Sequence, residues 1–178
     1  MFYLREWEYC DNAQLYAWKV DERNKEHFTS TPMTDLESFQ EYVEKQEKKR
    51  KENSTIERVF CSISDNSLVG QIRGFNFNSR NLSIEVGYYL PEISRGKGYG
   101  KIMLLHFINE LFGDSILQLN KVYAKTSSNN TGSVKILEKC GFVFEGSSRN
   151  HYFIDSQYFD EFNYSILRKE WNLTSAST

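Results

Sequence analysis

Between residues 95 and 100 the chain reads Arg95-Gly96-Lys97-Gly98-Tyr99-Gly100, with three alternate glycines set between a strand-like stretch, 82–90, and an amphipathic stretch, 101–112. No other feature constrains the fold as much. A glycine loop that opens onto a helix can wrap its backbone N–H groups around phosphate oxygens, and the helix dipole adds to the attraction. The dinucleotide fingerprint G-x-G-x-x-G does not fit, because it needs glycine at Lys101 and the first strand of a βαβ series beforehand. A Walker loop fails as well, since Ile102 stands where Ser or Thr would hold magnesium. A metal-free pyrophosphate site or a merely tight turn remains.

The flanking sequence reads as a mixed α/β or α+β domain with an antiparallel majority. The capping-box spacing of Asp11 and Gln14 predicts a first helix from Asp11 to about Val20. Thr34-Asp35-Leu36-Glu37 opens a second, with Leu36, Phe39 and Val43 on one face, and the loop between them, 21–33, is polar. The second helix fades into the cationic run 45–51. This is read as a solvated helix end, because cations there complement the dipole and Glu44, Glu47 and Glu52 dilute the charge. Segments 56–63, 68–77 and 82–90 follow as an antiparallel meander. In the third, Leu82, Ile84, Val86 and Tyr88 share one face and Ser83, Glu85, Gly87 and Tyr89 the other. Beyond the glycine loop and its helix come a strand at 121–125, a helix at 132–139 closed by Gly141, and strands at 142–149 and 158–168 joined through 151–157. The 178 residues suit one domain, 1–170, and a polar tail, 171–178.

Four segments in order carry a resemblance. Glu85-Val86-Gly87-Tyr88-Tyr89-Leu90, the glycine segment, Asn130-Thr131-Gly132-Ser133 and Glu138-Lys139-Cys140-Gly141-Phe142 resemble the GNAT superfamily of acyl-CoA N-acyltransferases over about residues 3–171. Arg95, Gly98 and Gly100 match that family's R/Q-x-x-G-x-G/A loop, which holds the coenzyme A pyrophosphate. Asn130 with Ser133, the E-K-x-G-F end and Tyr164-Ser165-Ile166-Leu167 are most similar to the branch containing the ribosomal-protein N-terminal acetyltransferases. The resemblance implies a mostly antiparallel mixed sheet with splayed central strands, flanked by helices, and acetyl-CoA as co-substrate without a metal. Tyr88, Tyr89, Leu90, Arg95, Gly96, Lys97, Gly98, Tyr99, Gly100, Lys101, Asn130 and Ser133 are the residues it places at the coenzyme.

The implied chemistry is transfer of an acetyl group from acetyl-CoA to a primary amine. The amine must first lose a proton, its free pKa being about 8 for an α-amine and about 10 for a lysine. Glu85 is the candidate base, its alternative being an ordinary solvent-facing strand residue. N–H groups around Tyr89 and Leu90 are candidates to polarise the thioester carbonyl. Many members of the superfamily carry a Tyr four residues before the Gly-Phe pair that protonates the departing thiolate, and this chain has Leu137 there. Ser133 is the candidate acid in its place, or else a first-turn helix cap, with Tyr152 and Tyr158 as more distant phenols. His106 is read as packed within its helix, and His151 keeps a claim to acid/base work. A non-catalytic acyl-CoA-binding domain is the alternative that Leu137 allows.

A net charge of −2 gives no general reason to bind nucleic acid. No apolar run approaches the roughly 18 to 20 residues that span a bilayer. Cys10, Cys61 and Cys140 form no CxxC pair, and His27, His106 and His151 have no metal spacing. A cytoplasmic chain without membrane or metal is expected, as a monomer or homodimer. For the acceptor, the loop after the first helix mixes Asp21, Glu22 and Glu26 with Arg23 and Lys25, which is no clear trap for a polycation. The resemblance to the ribosomal-protein N-terminal acetyltransferase branch implies a protein N-terminus as acceptor, with a polyamine or aminoglycoside as runner-up, and the mixed charge agrees with that order. Glu37, Glu41 and Glu44 recur at helical spacing, either as an acidic wall for such a cation or as a solubilising face.

Overall fold

The computed structural model describes residues 1–21, 35–52 and 54–175. They form one seven-stranded sheet in the order β1-β2-β3-β4-β5-β7-β6. The strands are β1 (Phe2–Glu6), β2 (Ile56–Ser62), β3 (Leu68–Asn78), β4 (Ser83–Tyr89), β5 (Lys121–Ser127), β6 (Val143–Ile154) and β7 (Gln157–Leu167). Helices α1 (Asn12–Val20), α2 (Leu36–Lys51), α3 (Tyr99–Gly113), α4 (Thr131–Lys139) and α5 (Arg168–Ser175) complete the chain order. Every neighbouring pair is antiparallel except β4 and β5. This is the antiparallel-majority mixed sheet that the sequence predicts.

Alternation along the strands assigns the two faces. Ile72, Ile84 and Val86 turn to one side, where Met103, Leu104, Phe107, Ile108 and Leu111 recur at helical spacing on α3 and join Leu137 of α4 and Trp171 of α5. Each such side chain, once buried, contributes about 1.5 to 3 kcal/mol. Leu15 and Trp18 of α1 and Phe39 of α2 form a smaller cluster on the other side, with Tyr89 packed against it. The sheet thus separates a large core under α3 from a small one under α1 and α2.

Between these layers the sheet opens. β4 and β5 pair over three residues only, Ser83, Glu85 and Ile84 against Lys121, Tyr123 and Val122. On its other edge β4 stays paired with β3 as far as Tyr89, and β5 stays paired with β7 as far as Ser127. Residues 86–89 and 124–127 therefore diverge, which gives the splayed centre.

Several expectations need correction. β1 is a strand where the sequence suggested no element, because Phe2 and Leu4 pack onto the α3 core. Asp11 makes no capping box with Gln14: its carboxylate takes two hydrogen bonds from Arg5, at 2.7 and 2.8 Å, and one from the Glu8 N–H at 2.9 Å. Thr34, His27 and the loop 22–34 lie outside the described residues, and it is Asp35 that accepts the Ser38 N–H at 2.8 Å. Leu82 is not on the β4 face; it adopts φ +49° in the turn before the strand. The connector expected at 151–157 shrinks to Asp155 and Ser156, both at positive φ, as a two-residue hairpin demands. His106 is exposed, its ring edge-on to Phe60 at 6.4 Å between ring centres. The first residues of the expected polar tail belong to α5, where Trp171 is buried and donates to Asn109 Oδ1 at 3.1 Å.

Candidate active site

β4 runs through Leu90, Pro91 and a single turn, Glu92–Ser94, into the glycine loop. Gly96 and Gly98 have φ of +73° and +80°, and a Cβ on either would meet no atom within 4 Å. The loop therefore uses a backbone conformation that costs an L side chain about 1 to 2 kcal/mol, and it does so around open space. The first N–H to join the α3 ladder is that of Ile102, on Gly98 O at 3.4 Å. Those of Tyr99, Gly100 and Lys101 stay outside the ladder, at the positive end of the helix dipole. This cradle fits a pyrophosphate. A Cβ on Gly100 would lie 2.6 Å from Ile136 Cδ1, so glycine there lets α3 begin against α4.

The loop's side chains are placed more diversely than its backbone. Arg95 Nε donates to Leu90 O at 3.0 Å and fastens the loop to the end of β4. Lys97 is exposed. The Tyr99 ring packs against Phe2 of β1, with ring centres 4.7 Å apart, so Tyr99 offers the loop its N–H and not its phenol. The Leu90 side chain fills the space beside Gly70 and Gly100.

Tyr88 stands on the α3 side of β4 and reaches across the opening to α4. Its Oη lies 2.8 Å from Ser133 Oγ and 3.3 Å from Ser133 O. Asn130 caps α4, its Oδ1 accepting the Ser133 N–H at 3.0 Å, which leaves the Ser133 hydroxyl to Tyr88. Burial pushes the Tyr88 phenol well above its ordinary range, so it stays protonated at neutral pH. Tyr89 turns the other way and donates to Trp18 O at 3.2 Å on α1. Leu137 is fully buried.

On the opposite face Glu85 stands beside Tyr123 at the last pair before the strands part. Asn76 Nδ2 donates to its Oε2 at 2.9 Å and orients a half-buried carboxylate. Burial and the adjacent Glu85 charge push the Tyr123 phenol up. Further along, the buried Glu161 accepts the Tyr152 hydroxyl at 2.8 Å and faces Lys125 at 3.4 Å and His151 at 3.3 Å. Burial, then Glu161, then Glu85 raise the Tyr152 phenol, which puts Tyr152 within reach of the Glu85 charge. Tyr158 is apart from these, exposed near the β6–β7 turn against Phe153.

Across the groove, α1 and α2 hold Lys19 and Tyr42 over Arg73 and Glu57. Lys19 Nζ lies 4.8 Å from the centre of the Tyr42 ring and 6.0 Å from that of Tyr89. Burial first, and Arg73 second, lower the Lys19 ammonium to about 8. Sequence reasoning names Glu85, Ser133, Tyr152 and His151 but misses Asn76, Tyr123, Lys19, Arg73 and Glu161. Alternation in Gln71-Ile72-Arg73 marks Arg73 as facing away from the core, whereas its neighbours across β2 and β4 depend on register.

The glycine loop before α3 and the parting of β4 from β5 are the features that the resemblance to the acyl-CoA N-acyltransferases implies. Residues 2–143 match the family described as acetyltransferase (GNAT) domain. The chain belongs to that family. It is 35% identical over 118 residues to YokL, an uncharacterized prophage-derived N-acetyltransferase of Bacillus subtilis, covering 65% of this chain and 64% of that protein. It is 31% identical over 109 residues to YdaF of the same organism, provisionally named a ribosomal N-acetyltransferase, covering 61% and 58%. The match thus spans less than two thirds of the length of either relative. A spermidine N(1)-acetyltransferase of Vibrio cholerae is 27% identical over 135 residues, 76% of each chain. The crystal structure of spermidine N-acetyltransferase from Vibrio cholerae with CoA and spermine superposes with a TM-score of 0.86 at 23% identity, covering 96% of this chain and 98% of that one, and establishes the fold. Among the described residues no helix is long and apolar enough to cross a membrane.

Proposed function

We propose that the protein transfers an acetyl group from acetyl-CoA directly to the α-amine of a protein N-terminus. The observation that carries this reading is the position of Glu85, on the face of β4 opposite the glycine cradle and at the residue where β4 and β5 part. Acetyl-CoA supplies an activated acetyl thioester. The N–H groups of Tyr99, Gly100 and Lys101 are placed to hold its pyrophosphate, with Arg95 keeping the loop on β4. Glu85 Oε1 or Oε2 takes the proton of an amine that approaches from the α1–α2 side, directly or through one water. Ser133 Oγ, backed by the Tyr88 phenol, offers a proton on the donor side. A thiol with a pKa of about 8.5 needs only that modest help to leave.

A polyamine acceptor is the second reading, favoured by the spermidine acetyltransferases among the relatives. The sequence offered Glu37, Glu41 and Glu44 as its acidic wall. These three are exposed, on the side of α2 away from Phe39, Tyr42, Val43 and Gln46, and so away from the sheet. An acceptor screen that follows thiol release and locates the added acetyl group by mass spectrometry decides between them. Transfer to N-terminal peptides at a higher kcat/KM than to spermidine supports the first reading, and the reverse order overturns it.

A further inference from the structure

The acceptor face carries a cation that acetyl transfer itself does not need. Arg73, in the middle of β3, points away from the α3 core, and its guanidinium carbon lies 4.8 Å from the centre of the Phe75 ring. Its cross-strand partner on β4 is Gly87. A Cβ on Gly87 would come 3.2 Å from Phe75 Cε1 and an ordinary 3.9 Å from Arg73 Nε, so the bare glycine makes room for the Phe75 ring on which the guanidinium rests. Gly87 is two residues beyond Glu85, on the part of β4 that β5 no longer covers.

The charges around Arg73 come from three elements. Glu57 of β2 is its other cross-strand partner and is buried. Lys19 of α1 feels both Arg73 and Glu57. So does the Tyr42 phenol of α2, which burial pushes up to about 12 and which therefore adds no negative charge near neutral pH. Among the described residues no carboxylate forms an ion pair with Arg73. Among the described residues, Arg73 and Lys19 bring two cations to this flank, where the carboxylates are the buried Glu57 and, within reach of Tyr89, Asp21, while Glu85 stands on the other flank.

We propose that Arg73 selects acceptors that carry a carboxylate near the reacting amine. This rests on the acetyl-transfer reading above and narrows its acceptor. A guanidinium offers a planar fork that takes a carboxylate through two parallel hydrogen bonds, which an ammonium does not. Glu85 and Gly87 are two residues apart on an extended strand, about 7 Å at 3.2 to 3.4 Å per residue. Amine and carboxylate sites so separated suit the acidic side chain of a peptide's first or second residue better than a free amino acid, whose two groups share one carbon. Spermidine meets Arg73 and Lys19 as like charges.

The test measures kcat/KM at fixed ionic strength for the amidated peptides Ser-Glu-Ala-Ala and Ser-Gln-Ala-Ala, for free glutamate and for spermidine. The Glu peptide is expected to exceed the Gln peptide at least tenfold, mostly through KM. Arg73→Gln should bring that ratio within twofold of one, and Arg73→Lys, which keeps the charge without the fork, should retain part of it. Circular dichroism checks that both variants fold. Free glutamate preferred over the peptide keeps carboxylate recognition and assigns its source to a free amino acid. Equal rates for the two peptides, a ratio that survives Arg73→Gln in folded protein, or a preference for spermidine overturns the proposal and leaves acetyl transfer standing. Acetyl-CoA binding without thiol release on any acceptor overturns acetyl transfer itself, and this inference with it.

Discussion

On the proposed reading the two faces of β4 meet different recognition problems with different materials. Towards α3 and α4 the groups proposed to act are backbone N–H groups at the start of α3 and two neutral hydroxyls, Tyr88 and Ser133, held 2.8 Å apart. Towards α1 and α2 they are charged side chains, Glu85, Arg73 and Lys19, drawn from three elements. The difference follows from what each face meets. A pyrophosphate is the same in every turnover, and a bent backbone at a helix N-terminus recognises it whatever the side chains are. An acceptor is recognised by where its own charges fall, which only side chains can match.

The sharpest way to break this division is Glu85→Gln, which keeps the shape and removes the proton acceptor. Turnover should fall by about a hundredfold, at the lower end of what a positioned base contributes, while acetyl-CoA affinity by calorimetry stays within twofold. Raising the pH should recover part of the rate by supplying free amine. Wild-type kcat with an unchanged pH profile removes Glu85 as the base. The complementary change is Gly98→Glu, which puts a side chain at φ +80° and a negative charge in the cradle. Acetyl-CoA affinity should weaken at least tenfold, or about 1.4 kcal/mol, with the fold retained. Should Glu85→Gln weaken coenzyme binding as much as Gly98→Glu does, the two faces are not separable.

How far each face was legible in the sequence follows from the same contrast. The proposed donor side rests on contiguous residues: 95–101 lie in one loop and helix start, and Asn130 and Ser133 lie in one cap, so a resemblance carried by short motifs points to them. Alternation also put Glu85 on the correct face of its strand. The acceptor side is assembled by register. Arg73 meets Gly87 and Glu57 only because β3 pairs with both neighbours in one alignment, and a slip of one residue would turn it into the core. Lys19 reaches Tyr42 and Tyr89 through helix packing that no short motif encodes. β1 was missed for a related reason: five residues become a strand only when β2 is there to pair with them.

A smaller effect tests the link between the faces. The Tyr88–Ser133 pair is the hydrogen-bonded contact from β4 to α4 across the opening. Ser133→Ala should lower kcat a few-fold, since a good leaving thiol needs little help, and Tyr88→Phe should do much the same. If the two hydroxyls act as one unit, the double variant loses little more than either single one, with a coupling of about 0.5 to 1.5 kcal/mol. Strict additivity would make them independent and return Ser133 to a purely local role in α4.

The smallest effect concerns Lys19 and bears on the charge of the acceptor face. Burial first, and Arg73 second, hold its ammonium at about 8 instead of the ordinary 10.5, with Glu57 opposing. Below pH 8 the folded and unfolded chains both carry the proton, and the folded state bears the cost of a poorly hydrated charge. Between pH 8 and 10.5 the folded chain has released the proton and the unfolded chain still holds it, so stability rises with pH across that window. Lys19 keeps part of its surface in water, which limits the expected gain to about 1 kcal/mol. Urea unfolding at pH 7.5, 9 and 10 reads it as the difference between wild type and Lys19→Met, in which the other titrating groups cancel. Arg73→Gln should shrink the rise, because removing the neighbouring cation lets Lys19 hold its proton to higher pH. Parallel curves for wild type and Lys19→Met would mean that Lys19 is as well hydrated as a surface lysine. Both cations on that flank of the groove would then persist at pH 9, where a lowered Lys19 leaves Arg73 alone.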